Sequence, residues 1–106
     1  MIENLERLLA NGKEGALLRF SLGGEYLKRK DPAAAAAHLR KALELDPKYS
    51  AAWKLLGRAY EEAGQFTAAA EAWTEGLAVA DANGDQQAAK EMKVFLKRLE
   101  KNRPKD

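Results

Sequence analysis

Residues 50–60 read SAAWKLLGRAY. Ala51, Ala52, Leu55, Leu56 and Ala59 are good helix formers, and no proline or β-branched residue interrupts them. Yet Gly57 stands in the middle, where a glycine costs roughly 1 kcal/mol against alanine. A glycine in that place, between Leu56 and Arg58 and one turn before Tyr60, calls for a packing reason.

Outward from this stretch, apolar residues recur at helical spacing in six segments. The first carries Ile2, Leu5, Leu8 and Leu9 and stops at Gly12; the second, about 14–30, carries Leu17, Leu18, Leu22, Tyr26 and Leu27. Asp31–Pro32 supplies an N-cap and a proline at the first helical position, and the third segment runs through AAAAAHLRKALEL to Asp46–Pro47. The fourth contains the opening stretch and ends near Gly64, and the fifth runs from about Phe66 to Ala82 before Asn83–Gly84. The sixth starts near Asp85 and fades by Asn102, leaving 103–106 as a frayed tail. With 106 residues, abundant alanine and three prolines, the chain reads as one all-α domain with one continuous core.

Composition excludes several functions. There is no cysteine, so disulfides, thiolate metal sites and thiol catalysis are ruled out. The one histidine, His38, is read as a surface or boundary residue, and neither Ser21 nor Ser50 has an adjacent base; Ser50 reads as a helix start. The chain is therefore expected to be non-enzymatic, with no metal and no cofactor. No apolar run reaches the length of a membrane span, and the amphipathic start MIENLERLLANG is not a secretory signal; the expected setting is cytoplasmic. Net charge is only +2, which disfavours nucleic acid as a partner. Its distribution is uneven: 50–83 carries two basic and five acidic residues, whereas 84–106 carries seven and four.

Sliding the chain against itself by 34 places Leu22, Gly23 and Tyr26 on Leu56, Gly57 and Tyr60, and Ala34–Ala36 on Ala68–Ala70. Segments 16–49 and 50–83 resemble the tetratricopeptide repeat, whose pattern is W-x2-L-G-x2-Y, then A-x3-F, then P. The second copy keeps Trp53, Leu56, Gly57, Tyr60 and Ala69, with Trp73 for the phenylalanine and Asp81 for the proline. The first keeps Leu22, Gly23, Tyr26, Ala35 and Pro47, with Arg19 for the tryptophan and Leu39 for the phenylalanine. The resemblance implies an α-solenoid of antiparallel helix pairs. Residues 1–15 would form an N-terminal capping helix with Leu5, Leu8 and Leu9 inward, and 84–102 a C-terminal capping helix with a stripe of Ala88, Met92, Phe95, Leu96 and Leu99. It also implies that Gly57 faces Ala69, and Gly23 faces Ala35, across close helix crossings.

By the same resemblance the function is a non-catalytic protein-interaction module, holding a peptide in a concave groove lined by the first helix of each repeat. The groove residues would be Leu17, Phe20, Ser21, Gly24 and Lys28 from the first copy, and Lys54, Leu55, Arg58 and Glu62 from the second. The sixth helix, one residue out of phase with a strict repeat, would add Gln86, Lys90, Lys93 and Lys97. The carboxylate clamp of chaperone-binding members is not matched: Phe20, Gly24, Leu55 and Gln86 stand where it needs other residues, and only Lys90 fits. The expected ligand is a protein or peptide with an apolar anchor and acidic residues; the alternative is a structural subunit or homo-oligomer joined through its terminal helices.

Overall fold

A computed structural model describes residues 1–102, and among them every regular element is helical. The helices are α1 Ile2–Ala10, α2 Ala16–Lys28, α3 Pro32–Leu45, α4 Ser50–Glu62, α5 Phe66–Asn83 and α6 Gln86–Asn102. The tail at 103–106 lies outside the described residues. Each helix packs on the next, and α4 also touches α2 and α6. That is the quasi-linear stacking of a solenoid: α2, α4 and α6 form one layer, with α3 and α5 in the other.

The punctuation is local. Asp31 accepts a hydrogen bond from the Ala34 amide at 3.2 Å and caps α3, with Pro32 in the first turn. Helix α4 ends with Gly64 in the left-handed region and a Gln65 N–H to Tyr60 carbonyl bond of 2.8 Å. The equivalent turn one repeat earlier has the same bond, Asp31 N–H to Tyr26 carbonyl at 2.9 Å. There the left-handed residue is Lys30, with φ of 62°.

The glycine of the opening stretch has a different neighbour from the one expected. The atoms nearest a Cβ on Gly57 are those of the Trp73 indole, inside which it would fall. Trp73 is fully buried, and its Nε1–H donates at 2.9 Å to the carbonyl of Lys54, three residues before the glycine. In a helix the side chain at i+3 overhangs the carbonyl of residue i. Gly57 removes that overhang and lets an indole lie flat on the helix backbone. Gly23 does the same for Leu39, whose Cγ would stand 2.5 Å from an added Cβ. Each glycine therefore admits the large residue of the partner helix. Ala69 and Ala35 are small and fully buried, but the atoms nearest an added Cβ belong to Trp73 and Leu39. A third glycine of this kind, Gly76, lies where a Cβ would be 2.6 Å from both Met92 Sδ and Trp53 Cβ.

The ends also differ in detail. In α1 it is Ile2 that is buried, while Leu8 is 45 % exposed instead of facing inward. A nine-residue helix resting on α2 alone has too narrow a contact to bury three leucines. In α6 the expected stripe forms: Ala88, Met92 and Leu99 are buried, Phe95 and Leu96 half-buried. Ser50 begins α4 but does not cap it; its hydroxyl donates to Asp85 Oδ2 at 2.7 Å, while Asp85 Oδ1 accepts from the Ala88 amide at 3.1 Å. One aspartate thus caps α6 and ties it to the start of α4.

Candidate functional site

The layer of α2, α4 and α6 presents the face on which the concave-groove residues were placed. At its centre Gly24 of α2 stands opposite Leu55 of α4, whose Cδ2 would lie 3.8 Å from an added Cβ. That is ordinary contact distance, so the glycine leaves a shallow bay rather than a tight crossing. Phe20, one turn earlier, is half-buried and stacks on Tyr49 with ring centroids 4.8 Å apart. Tyr49 precedes α4 in the Pro47-containing connection, and burial raises its hydroxyl pKa. Leu17 is 69 % exposed on α2, and Ser21 is half-buried. The apolar part of the site, Leu17, Phe20 and Leu55, therefore combines covered and open carbon.

The charges are more self-contained than the sequence suggested. Lys54 Nζ is 3.0 Å from Glu91 of α6, Arg58 is 3.5 Å from Glu62, and Lys28 is 3.3 Å from Glu25. The Glu91 contact also fixes how α6 is turned. With about 100° per residue, Lys93 lies roughly 200° round the helix from Glu91, on the far flank of the buried Ala88–Met92–Leu99 stripe. The structure thus does not bring Lys93 to the side that meets Lys54. Lys90 sits at the solvent edge, and Gln86 and Lys97 fall on the same far side. Residues on the Glu91 side are Val94, 56 % exposed, and Arg98, whose guanidinium lies 5.3 Å from the Phe95 ring centroid. A one-residue phase shift was too small because the turn before α6 is fixed by Gly84, with φ of 73°, and by the Ser50–Asp85 bond.

Tyr49, Glu91 and Val94 are the residues of this face that sequence reasoning missed. Tyr49 carries no helical periodicity because it sits in a connection. Glu91 and Val94 depend on the rotation of α6, which no local pattern encodes.

At the first repeat Arg19, in the place of the pattern's tryptophan, makes a different cluster. It binds both oxygens of Glu14, the nearest at 2.8 Å, and its Nη1 lies 3.1 Å from His38 Nδ1. Hydrogen bonding to Arg19 holds the Glu14 carboxyl at about 2. Burial, aided by the Arg19 charge, lowers the His38 pKa, and its ring stacks on Tyr26 at 5.4 Å. A neutral imidazole wedged between an arginine and a tyrosine is packing, in keeping with a boundary residue. Among the described residues no cluster of three histidine, cysteine or acidic side chains is arranged to hold a metal ion. No described helix is long and apolar enough to cross a membrane.

Residues 26–92 match the sequence model of the tetratricopeptide repeat family. The chain belongs to the tetratricopeptide repeat family. It is 54 % identical over 103 residues to a TPR repeat-containing protein of Pseudomonas aeruginosa, covering 97 % of this chain and 98 % of that one. The solution structure of a Bordetella parapertussis protein superposes with a TM-score of 0.85 at 48 % identity, over 95 % of this chain and 88 % of that chain. A tetratricopeptide repeat domain protein of Salinibacter ruber superposes at 0.79 with 26 % identity, over 88 % and 94 %. Tetratricopeptide repeats are in general protein–protein interaction modules, and the six stacked helices have that architecture.

Proposed function

We propose that this tetratricopeptide repeat protein is a non-catalytic interaction module that holds a peptide segment of a partner protein along the face of α2, α4 and α6. The observation that carries the reading is the bay at Gly24. It is bordered by half-buried Phe20 and Leu55 and continued by exposed Leu17. An apolar anchor seated there gains most of its affinity from desolvating these carbons. Acidic residues next to the anchor would meet Arg58, Lys54 and Lys90. Because Lys54 and Arg58 already have carboxylate partners, a ligand carboxylate must displace Glu91 or Glu62, so charge contributes orientation and encounter rate more than affinity.

Gly24→Leu is the direct test. The leucine fills the bay without entering the core, so the variant should remain folded. It should bind a library of ten-residue peptides, each with one large apolar residue and an acidic flank, at least tenfold more weakly than the wild type. Unchanged binding in fluorescence anisotropy would remove the peptide site from this face.

Exposed Leu8 and Leu17 at the N-terminal end favour a second reading, self-association through the terminal helices. Sedimentation velocity over a hundredfold concentration range decides it: a Leu8→Glu variant, on α1 and outside the Gly24 face, should abolish any dimer formed this way.

A further inference from the structure

On the other layer, α3 and α5 make no close approach to each other among the described residues. A groove of about 910 Å³ opens between them. Its floor is one stripe of α4, Trp53, Leu56 and Tyr60, spaced i, i+3 and i+7. At about 100° per residue this stripe lies roughly 100–160° round the helix from Leu55. The groove and the Gly24 bay are therefore separate surfaces of the same helix.

The rim is acidic. Glu44 comes from α3, and Glu71 and Glu75 come from α5. The single cation of the lining is Arg40, which donates to the Tyr60 hydroxyl at 3.1 Å. Glu44 has a loose ion pair with Lys41 at 3.6 Å; among the described residues Glu71 and Glu75 have none. These two stand at i, i+4 on one helix, where like charges destabilise. Helix α5 has no lysine or arginine in 18 residues to offset them. An apolar floor, half-buried aromatic rings and uncompensated carboxylates one helical turn apart together define the ligand they would complement.

We propose that this groove is a second docking site, one that takes a cationic segment of another protein carrying one large apolar side chain. The apolar side chain lies on Trp53, Leu56 and Tyr60. Lysines or arginines about one helical turn apart meet Glu71 and Glu75, relieving the repulsion between them. The site is independent of the Gly24 bay and opposite to it in charge, so one domain joins two unlike partners.

The test uses the full chain and two labelled twelve-residue peptides. One has a central leucine or phenylalanine flanked by lysines at three- and four-residue spacing; its twin has glutamate for every lysine. In anisotropy titrations at 100 mM salt the cationic peptide should bind at least tenfold more tightly than its twin. Glu71→Lys/Glu75→Lys, confined to exposed positions, should weaken it at least tenfold, and Gly24→Leu should leave it within twofold. Equal binding of the two peptides, or indifference to the double substitution, overturns the proposal. Loss of binding in Gly24→Leu would do so too, since it would place the peptide on the opposite face. The cationic 84–106 segment of a second copy is the rival occupant. A concentration-dependent dimer in sedimentation that Glu71→Lys/Glu75→Lys abolishes would overturn the assignment to another protein.

Discussion

Helix-interior glycines in this chain do different work, and substitution separates them. A methyl at Gly57 collides with the Trp73 ring, which cannot swing aside in a fully buried slot and would lose its bond to the Lys54 carbonyl. Gly57→Ala should therefore destabilise by about 2–3 kcal/mol in urea unfolding, despite better helix propensity. Gly24→Ala, with only an ordinary contact to Leu55, should stabilise by about 0.5–1 kcal/mol, the helix-propensity difference alone. Opposite signs at two helix-interior glycines would be hard to obtain unless one faces a ring and the other a bay. Lys30 offers a third case: it holds the left-handed position that Gly64 holds one repeat later. Left-handed backbone costs a residue with a side chain roughly 1–2 kcal/mol, so Lys30→Gly should raise stability by up to about 1 kcal/mol. A lower melting temperature for that variant would show that the Lys30 side chain compensates for its backbone.

At the scale of elements, two carboxylates fix how helices begin. Asp85 joins α4 to α6 and Glu14 anchors the start of α2 to Arg19. The Ser50 hydroxyl, then the Ala88 amide, holds the Asp85 carboxyl below its ordinary value, and Arg19 holds Glu14 at about 2. A carboxyl lowered in the folded state contributes stability above its unfolded pKa and loses it as pH falls through the folded value. The loss should thus run from about pH 4.5 down to about 2 for Glu14, with Asp85 losing its share at the same acid end. Urea midpoints measured across this range should fall more gently with acid in Glu14→Gln and in Asp85→Asn than in the wild type. Equal slopes would mean that neither bond persists in solution. The same Asp85 bond helps set the rotation of α6 and hence which of its residues reach the Lys54 side.

For the whole molecule, linear stacking makes each end helix the cover of the one before it. Phe95 lies 5.2 Å from Trp73, and Met92 fills the notch at Gly76. Deleting 86–106 should uncover Trp73 and lower the melting temperature followed by far-ultraviolet circular dichroism. It should also shift tryptophan emission to the red, since the exposed indole joins half-buried Trp53. An unchanged spectrum and melting curve would mean that α6 is an accessory rather than part of the core. Helix α4 places Leu55 beside Gly24 and Trp53, Leu56 and Tyr60 in the groove on the opposite layer, so the two surfaces share one helix.

Periodicity and the 34-residue self-match were enough to determine six helices, their order and their antiparallel pairing, because helix stripes and caps are local and each repeat packs mainly on its neighbours. Leu22, Gly23 and Tyr26 against Leu56, Gly57 and Tyr60 carried most of that information. Leu17, Phe20, Gly24 and Leu55 of the α2–α4 face lie within the two segments that the self-match aligns, so the sequence could nominate them. What the tertiary structure alone decided is which atoms meet. Gly57 and Ala69 are both small, so either could have faced the other; the indole of Trp73 took the space because its N–H needed a carbonyl when buried. The rotation of α6, the pairing of Lys54 with Glu91, and the groove between α3 and α5 follow from distances between helices. No one-dimensional pattern records these, because a shift of one residue in the connection turns the following helix by about 100° and moves its charges from one face to another.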